Sequence, residues 1–346
     1  MPIRLDSNRV SRDRKEGTPR APGSLPHSAR EPIRIGLVNS MPEAAFKATE
    51  MQFRSLLNSA AEGTPIQLSL YILPGTSVAA LDGGRADSRY ARIDKLWHQS
   101  LDGLIVTGTE PLTAALKDEA YWESFTQLLG WARDNTRSTV WSCLAAHAAI
   151  LHMDGIERRR NHAKHFGLFQ CHRMSDEGLL NGTAASFHIP HSRWNGVAEK
   201  ELEAHGYRIL SRTDDGEVDA FIKQDNSLFV FFQGHPEYAT DTLLREYRRD
   251  IGRYLRGSAE NYPPVPRGYF DGASEQALTS LRESAGSLQS EQLLAEIAAA
   301  MEKLHIENTW QPTAVGIYRN WLEHLCAGKD ESQPVVNVDT SRAACL

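Results

Sequence analysis

The sequence has few cysteines, and they show no arrangement that would build a zinc site or a disulfide framework. The four cysteines stand at positions 143, 171, 326 and 345, and no two of them form a CxxC pair. Zinc-binding domains and small disulfide-stabilised domains depend on such pairs, so neither class is expected. We therefore expect reduced thiols and a cytoplasmic location.

Long apolar runs are also missing. No stretch reaches the roughly 18 apolar residues that a membrane-spanning helix needs, so no membrane association is expected. The first 32 residues are rich in Arg, Pro, Ser and Gly, and they lack the apolar segment of a secretory signal. Such a composition predicts a disordered tail over residues 1–32.

The chain has no excess of positive charge. Its 38 Lys and Arg residues are outnumbered by 44 Asp and Glu residues, which gives a net charge of −6. Proteins that bind nucleic acid usually carry a basic surface, so a nucleic-acid partner is not expected. A chain of 346 residues can bury a full hydrophobic core, and chemistry on small molecules is the better expectation.

Strand-like and helix-like segments alternate through the first part of the chain. Short apolar runs predict strands at IRIGLVNS from Ile33, at IQLSLYIL over 66–73 and at LDGLIVTG over 101–108. The spacing of EAAFKATEMQFRSLLNSA and of the segment from about Tyr121 to Asp134 predicts helices. This alternation is typical of an α/β fold in which helices cover both faces of a mainly parallel sheet.

The later sequence modifies this picture. A turn at 224–226 joins two strand-like pieces and predicts a hairpin, so the sheet is expected to be mixed. Helical spacing returns from Thr240, in SEQLLAEIAAAMEKL and in NTWQPTAVGIYRNWLEHL, whereas residues 258–287 are rich in Pro, Gly and Ser. The expected organisation is one domain over 33–325 and a C-terminal tail over 326–346.

A cysteine stands where a buried strand runs directly into a helix. STVWSC (138–143) is followed without a loop by LAAHAAILHM. At the start of a helix, the helix dipole favours a thiolate, and free backbone N–H groups can hold an oxyanion. Ser142, Ala145 and Ala146 are small enough for a tight turn. Cys143 is therefore a candidate nucleophile, although a buried small hydrophobe explains this segment alone equally well.

A second motif, QGHPEY, follows the apolar run LFVFF. A base beside a thiol has to be held in one orientation, and a carboxylate two residues further on can bind the other imidazole nitrogen. His235 and Glu237 have this relationship, in a turn that Pro236 makes rigid. Together with Cys143, about 90 residues earlier, they predict a Cys-His-Glu catalytic triad.

The order of these motifs resembles the class I glutamine amidotransferase fold. Further segments are similar to the homoserine O-acyltransferases of that fold, the family of homoserine O-succinyltransferase and O-acetyltransferase. The resemblance covers residues 33–325 and is interrupted by an apparent insertion at about 270–305. Besides the motifs around Cys143 and His235, it rests on the segments LVNSMPEAAFKATEMQF, DGLIVTGTEP, AYW, KHFGLFQ, PHSR and NWL.

This resemblance implies an acyltransferase of methionine biosynthesis that works by a ping-pong reaction. Cys143 would be acylated by a coenzyme A thioester, and His235, oriented by Glu237, would then activate the hydroxyl of homoserine. Acyl-CoA would be a co-substrate, and no cofactor or metal is implied. The resemblance also implies a homodimer.

Four further residues fall at positions that this family uses for its substrates. Arg249 would bind the carboxylate of the amino acid, to which its planar guanidinium is matched. Ser192 and Lys164 would line the same pocket, and Lys47, in the segment after NSMP, would lie on the substrate side. Without the resemblance, Arg249 is better explained by a solvated basic face, because two further arginines share its helix.

The chain departs from the family beside the nucleophile and in the acyl pocket. Leu144 and His147 stand where the family commonly has Trp and Gln. After Gly108 the chain reads TEPLT, where the family has glycine for succinyl transfer or glutamate for acetyl transfer. Counting forward to AYW without a gap places Leu112 at this position, with Glu110 close by, and a bulky Leu112 would shorten the acyl pocket and favour acetyl. The donor, acetyl-CoA or succinyl-CoA, stays open.

Other functions remain as alternatives. Glutamine hydrolysis, which this fold also hosts, would require glycine on both sides of the nucleophile, where this chain has Trp141 and Ala145. Metal binding by the histidines between 162 and 191 is disfavoured by their loose spacing and by Pro190. A non-catalytic sensor would be expected to lose a triad residue. Serine or another hydroxy amino acid stays open as the acceptor.

Overall fold

The computed structural model describes residues 3–5, 31–76, 89–176, 178–284, 290–301, 304 and 306–331. In this part of the chain the strands are β1 (Ile3–Leu5), β2 (Ile33–Val38), β3 (Ile66–Ile72), β4 (Tyr90–Arg92), β5 (Gly103–Val106), β6 (Ser138–Ser142), β7 (Arg159–Arg173), β8 (Ser186–Gly196), β9 (Arg208–Thr213), β10 (Val218–Gln224) and β11 (Leu228–Phe232). The α-helices are α1 (Glu43–Ala60), α2 (Trp122–Asn135), α3 (Leu144–Asp154), α4 (Glu199–Ala204), α5 (Thr242–Leu255), α6 (Gly272–Ser284), α7 (Ser290–Met301) and α8 (Gln311–Glu331).

The strands form one mixed sheet. Its order is β1-β3-β2-β5-β6-β11-β10-β9-β7-β8, with β4 beside β3. The strands from β1 to β11 in this order are parallel. The remaining strands, β10, β9, β7 and β8, are added in antiparallel orientation. The predicted sheet, mainly parallel with a hairpin at 224–226, is confirmed.

Helices cover both faces of this sheet. On one face, α1 and α8 pack against the strands through fully buried residues such as Phe53 and Trp321. On the other face, α2 and α3 do the same through Phe125 and Ala149. Because β2 and β5 are covered on both sides, their sequences are almost continuously apolar. The expected α/β class is confirmed.

The long hairpin of β7 and β8 is not predicted by the sequence pattern. The first half of β7, RRNHAKH, is polar and largely exposed, and β8 contains Pro190. Neither segment shows the apolar run or the strict alternation that indicates a strand. Pairing between the two segments forms them instead, with Phe166 opposite Ser192. Through this hairpin, Lys164 and Ser192 both reach α5.

The apparent insertion at about 270–305 contributes two helices with a small core of their own. Leu278 of α6 and Ile297 of α7 are buried in one apolar cluster with Tyr247 of α5 and with Trp310. Residues 258–287 are rich in Pro, Gly and Ser, so the sequence pattern does not indicate the helix α6. This cluster packs on α5, so the insertion supports a helix that carries predicted substrate residues.

The ends of the domain differ in detail from the expected boundaries. Residues 3–5 pair with β3 as an edge strand, so this part of the predicted tail is ordered. Residues 6–30 of that tail lie outside the described residues. At the other end, α8 continues to Glu331, so the first residues of the expected tail over 326–346 are helical. None of the described helices is long and apolar enough to span a membrane.

Candidate active site

Cys143 occupies a strained turn between β6 and α3. Its backbone angles are φ 52° and ψ −111°, a region that residues with a side chain rarely adopt. The Cys143 N–H donates to Phe232 O at 2.7 Å, which fixes the turn to the end of β11. The thiol is partly exposed. A strained, fixed and partly exposed cysteine fits the predicted nucleophile better than a buried small hydrophobe.

Backbone N–H groups beside Cys143 can hold an oxyanion. The first N–H groups of a helix have no intrahelical partner, and those of Leu144 and Ala145 open α3. Gly108 lies directly opposite, since a Cβ atom on Gly108 would come within 2.9 Å of Leu144 N. Glycine at 108 therefore keeps open the space in front of these donors.

His235 and Glu237 form a buried pair beside the thiol. His235 Nδ1 lies 2.9 Å from Glu237 Oε1. Burial alone would lower the pKa of His235, but the Glu237 carboxylate and a hydrogen-bonded Cys143 together raise this pKa well above its usual value. The loop is also fixed by its backbone, because the His235 N–H donates to Pro190 O at 2.8 Å. The three predicted triad residues are thus brought together.

A tyrosine and a glutamate that the sequence did not single out complete this side of the site. The Tyr238 ring stacks on the His235 ring, with centroids 4.2 Å apart and planes at 17°. Tyr238 donates its hydroxyl hydrogen to Glu246 Oε1 at 2.6 Å. Ser192 donates to the other oxygen of Glu246, Oε2, at 2.5 Å. Glu246 therefore links the predicted substrate residue Ser192 to the ring that covers the base.

The charges around Asp250 connect the other predicted substrate residues. Lys164 Nζ lies 3.1 Å from Asp250 Oδ2, and Arg249 Nε lies 2.9 Å from Asp250 Oδ1. Burial would raise the pKa of Asp250, but the hydrogen bond from Arg249 and the charge of Lys164 lower it, so this carboxyl is ionised. Asp250 on α5 therefore orients both Lys164 and Arg249, while the Arg249 side chain stays 44% exposed.

The other predicted residues take different places. Lys47 is exposed on α1. The Leu112 side chain is 80% exposed, and Leu112 N–H donates to Glu119 Oε1 at 2.7 Å. Glu110 contacts the helix that carries the predicted substrate residue Arg249, because both of its carboxylate oxygens lie 3.2 Å from a guanidinium nitrogen of Arg253 on α5.

His147, one of the departures from the family, supports the loop that carries the base. Its Nε2 lies 2.9 Å from Gln233 Oε1, and Gln233 Nε2 donates to Val218 O at 2.6 Å. Burial lowers the pKa of His147 to about 4, with the hydrogen bond to Gln233 opposing this effect. His147 is therefore neutral and fixes the residue two positions before His235.

A buried group with metal-binding atoms lies behind the triad. The ligand atoms of Cys171, His191 and Asp219 lie within 4.8 Å of one another. However, Arg193 Nε donates to His191 Nδ1 at 3.2 Å, and an arginine can only donate. Nδ1 is therefore the acceptor nitrogen, and Nε2 carries the proton that a metal would have to replace. The chemistry of this group does not fit a metal ion.

Taken together, the strained cysteine, the free N–H groups beside it and the His-Glu pair have the geometry expected of a cysteine acyltransferase site on an α/β fold. A sequence profile described as "HTS: Homoserine O-succinyltransferase" matches residues 22–332. The chain therefore belongs to the homoserine O-succinyltransferase family, and it is an acyltransferase. The resemblance inferred from its motifs is confirmed.

Individual relatives agree with this assignment. A homoserine O-succinyltransferase of Rhodopseudomonas palustris is 42% identical over 89% of this chain and 95% of the relative. One of Bradyrhizobium japonicum is 43% identical over the same shares, 89% and 95%. Among solved structures, a glutamine amidotransferase of Thermotoga maritima aligns with 86% of this chain and 99% of its own, at 13% identity and a TM-score of 0.46.

Proposed function

We propose that this enzyme transfers the succinyl group of succinyl-CoA to the hydroxyl of L-homoserine through an acyl-cysteine at Cys143, as a cytoplasmic step of methionine biosynthesis. The observation that carries the proposal is the strained backbone of Cys143 beside the His235–Glu237 pair. The choice of substrates is supported by the names of relatives that are aligned over nearly their whole length.

In the first half-reaction, the Cys143 sulfur attacks the thioester carbonyl. The carbonyl oxygen becomes an oxyanion, which the N–H groups of Leu144 and Ala145 stabilise in the space opposite Gly108. Coenzyme A leaves as a thiol when the tetrahedral intermediate collapses and the His235 imidazolium supplies a proton. The raised pKa of His235 suits this role, because the ring is protonated before the thioester arrives.

In the second half-reaction, His235 is neutral and accepts the proton of the acceptor hydroxyl. The alkoxide oxygen attacks the acyl-cysteine carbonyl, and the thiolate of Cys143 leaves. Glu237 holds Nδ1 of the ring, so that Nε2 faces the reacting atoms in both half-reactions. The stacked Tyr238 ring restricts rotation of the imidazole.

The charges on α5 suit an amino acid as the acceptor. Arg249, with its exposed guanidinium, would bind the carboxylate, and Lys164 would add positive charge from the opposite side. Glu246 accepts hydrogen bonds from two neutral hydroxyls and forms no ion pair with a described residue. Its carboxylate would receive the ammonium group, beside the Ser192 hydroxyl. Lys47, which is exposed on α1, would be a fourth substrate-side residue on the resemblance to the family alone.

For the acyl group, Glu110 is the stronger candidate for the selectivity position. Its carboxylate is neutralised by Arg253, so it would not repel the free carboxylate of a succinyl group as an unpaired glutamate would. Leu112 is the weaker candidate, because its side chain points into solvent and does not shorten a pocket.

A donor and acceptor screen tests the proposal. Purified enzyme is mixed with succinyl-CoA or acetyl-CoA, and release of free thiol is followed with homoserine, with serine or with no acceptor. We expect fast release with succinyl-CoA and homoserine, and none from Cys143→Ala. Absence of turnover with every thioester, or glutaminase activity in its place, would reject the proposal.

A further inference from the structure

A buried polar chain lies directly beneath the loop that carries the catalytic base. His191 on β8 and Asp219 on β10 are 0% and 2% exposed, and His191 Nε2 lies 3.1 Å from Asp219 Oδ1. Arg193 Nε donates to His191 Nδ1 at 3.2 Å, and Ser211 Oγ donates to Asp219 Oδ2 at 2.6 Å. The His191 imidazole therefore lies between the Arg193 guanidinium and the Asp219 carboxylate inside the protein.

The contacts of Arg193 fix the tautomer of His191. Because Nδ1 accepts from the guanidinium, the proton is on Nε2, which faces Asp219. Nε2 and Asp219 Oδ1 lie 3.1 Å apart without hydrogen-bond geometry, and neither atom forms a hydrogen bond with another described residue. Burial lowers the pKa of His191 to about 4, against the opposing effect of Asp219, so the ring is neutral.

The same two atoms support the catalytic loop. A Cβ atom on Gly234 would come within 2.8 Å of both His191 Nε2 and Asp219 Oδ1, so the backbone of Gly234 rests on the pair. The backbone on either side is fixed to the same two strands. Gln233 N–H donates to Asp219 O at 2.8 Å, and His235 N–H donates to Pro190 O at 2.8 Å.

The neighbours of the His235 ring are few and come from separate elements. Glu237 lies on its own loop, and Cys143 lies at the start of α3. Tyr238 stacks on the ring, with Glu246 of α5 behind it. His191 approaches from β8 and is the group whose protonation would add a second positive charge beside His235.

We propose that His191 and Asp219 are positioning residues, which fix the Gly234–His235 backbone so that the imidazole meets both Cys143 and Glu237. The proposal rests on the assignment of Cys143 and His235 in the proposed function. His191 also keeps the base loop free of a competing charge, because it stays neutral at the pH at which His235 is protonated. Both side chains are buried beneath the loop.

Alkylation of Cys143 by iodoacetamide, followed by mass spectrometry across a range of pH, tests this role without any substrate. In the unaltered enzyme, the imidazolium of His235 lies beside the Cys143 sulfur, so the pH dependence of alkylation reports this pair. In His191→Leu the ring of His235 loses its fixed place, and the pH midpoint of alkylation should rise by about one unit. His191→Gln retains an N–H donor towards Asp219 and should show a smaller rise.

Phe221→Leu is the matched control, because Phe221 lies on β10 two residues after Asp219, is fully buried and packs against Tyr207 and Phe231. It should lower the melting temperature and leave the alkylation midpoint unchanged. If His191→Leu and Phe221→Leu both leave the midpoint unchanged, the positioning role is refuted. If Cys143 in the unaltered enzyme is alkylated no faster than Cys326, which is also partly exposed, the assignment of the nucleophile fails instead.

Discussion

Ser192 Oγ donates a hydrogen bond to Glu246 Oε2 at 2.5 Å, across the space between β8 and α5. The other oxygen of this carboxylate, Oε1, accepts from Tyr238, whose ring stacks on the His235 imidazole. Glu246 therefore links the predicted substrate residue Ser192 to the ring that covers the predicted base, and it forms no ion pair with a described residue.

If Glu246 binds the ammonium group of the acceptor, Glu246→Gln should raise the KM for homoserine by about tenfold or more. The first half-reaction should be unaffected, because the thioester does not need this contact. Discrimination between homoserine and 4-hydroxybutyrate, which lacks the ammonium group, should shrink by a similar factor. Steady-state kinetics with both acceptors measure the effect.

Tyr238→Phe is the control for that experiment. It removes one hydrogen bond to Glu246 and keeps the ring that stacks on His235. Discrimination between the two acceptors should be retained. Should Tyr238→Phe erase the discrimination as fully as Glu246→Gln does, Glu246 acts only by holding Tyr238.

Gly108→Ala should damage the oxyanion site. The added methyl group would lie 2.9 Å from Leu144 N, in the space that the oxyanion needs. We expect kcat to fall on the order of 100-fold, as when one oxyanion donor is lost. Gly130→Ala is the matched control, because a Cβ atom there meets nothing within 4 Å, and it should leave kcat unchanged. Equal kcat values for the two variants would contradict the assignment.

Two buried histidines should make the fold sensitive to acid. Burial lowers the pKa values of His147 and His191 to about 4. Between that value and the unfolded value of about 6.5, the unfolded chain binds more protons than the folded chain, so stability is lost as the pH falls. At pH 5 each histidine should lower the free energy of unfolding by about 2 kcal/mol.

Urea unfolding at pH 7 and pH 5 measures this loss. His147→Gln replaces one of the two rings with a side chain that does not titrate. The difference in the free energy of unfolding between pH 7 and pH 5 should therefore shrink by about 2 kcal/mol. An unchanged difference would mean that His147 is not a buried neutral ring.

The position that selects the acyl donor can be located by two substitutions. Glu110→Gly should change the ratio of kcat/KM for succinyl-CoA to that for acetyl-CoA, because Glu110 faces Arg253 on the substrate side. Leu112→Gly should leave this ratio unchanged, because the Leu112 side chain is exposed. A change of the ratio in Leu112→Gly alone would assign selectivity to position 112.

The sequence predicted what depends on short-range pattern. The buried strands β2 and β5 are apolar runs, and α1 has helical spacing, so these elements were recognised with their approximate bounds. The turn at Cys143 and the loop with His235 and Glu237 are also short segments. Each is formed by residues that are close in sequence, so the sequence indicates both of them.

What the sequence did not predict depends on long-range contacts. The polar first half of β7 forms a strand because it pairs with β8, and no local pattern indicates it. In the sequence, Glu246 is one of several charges on an amphipathic helix. Its contacts with Ser192 and Tyr238 are visible only in the structure. His191 and Asp219 lie on different strands, so their contact is visible only in the folded chain.

The most direct measurement of the central claim is the mass of the enzyme after exposure to succinyl-CoA without an acceptor. We predict that one succinyl group is attached to Cys143, and that added homoserine removes it and yields O-succinylhomoserine. Transfer to homoserine by Cys143→Ala at the rate of the unaltered enzyme, with no acyl group on the protein, would contradict the account.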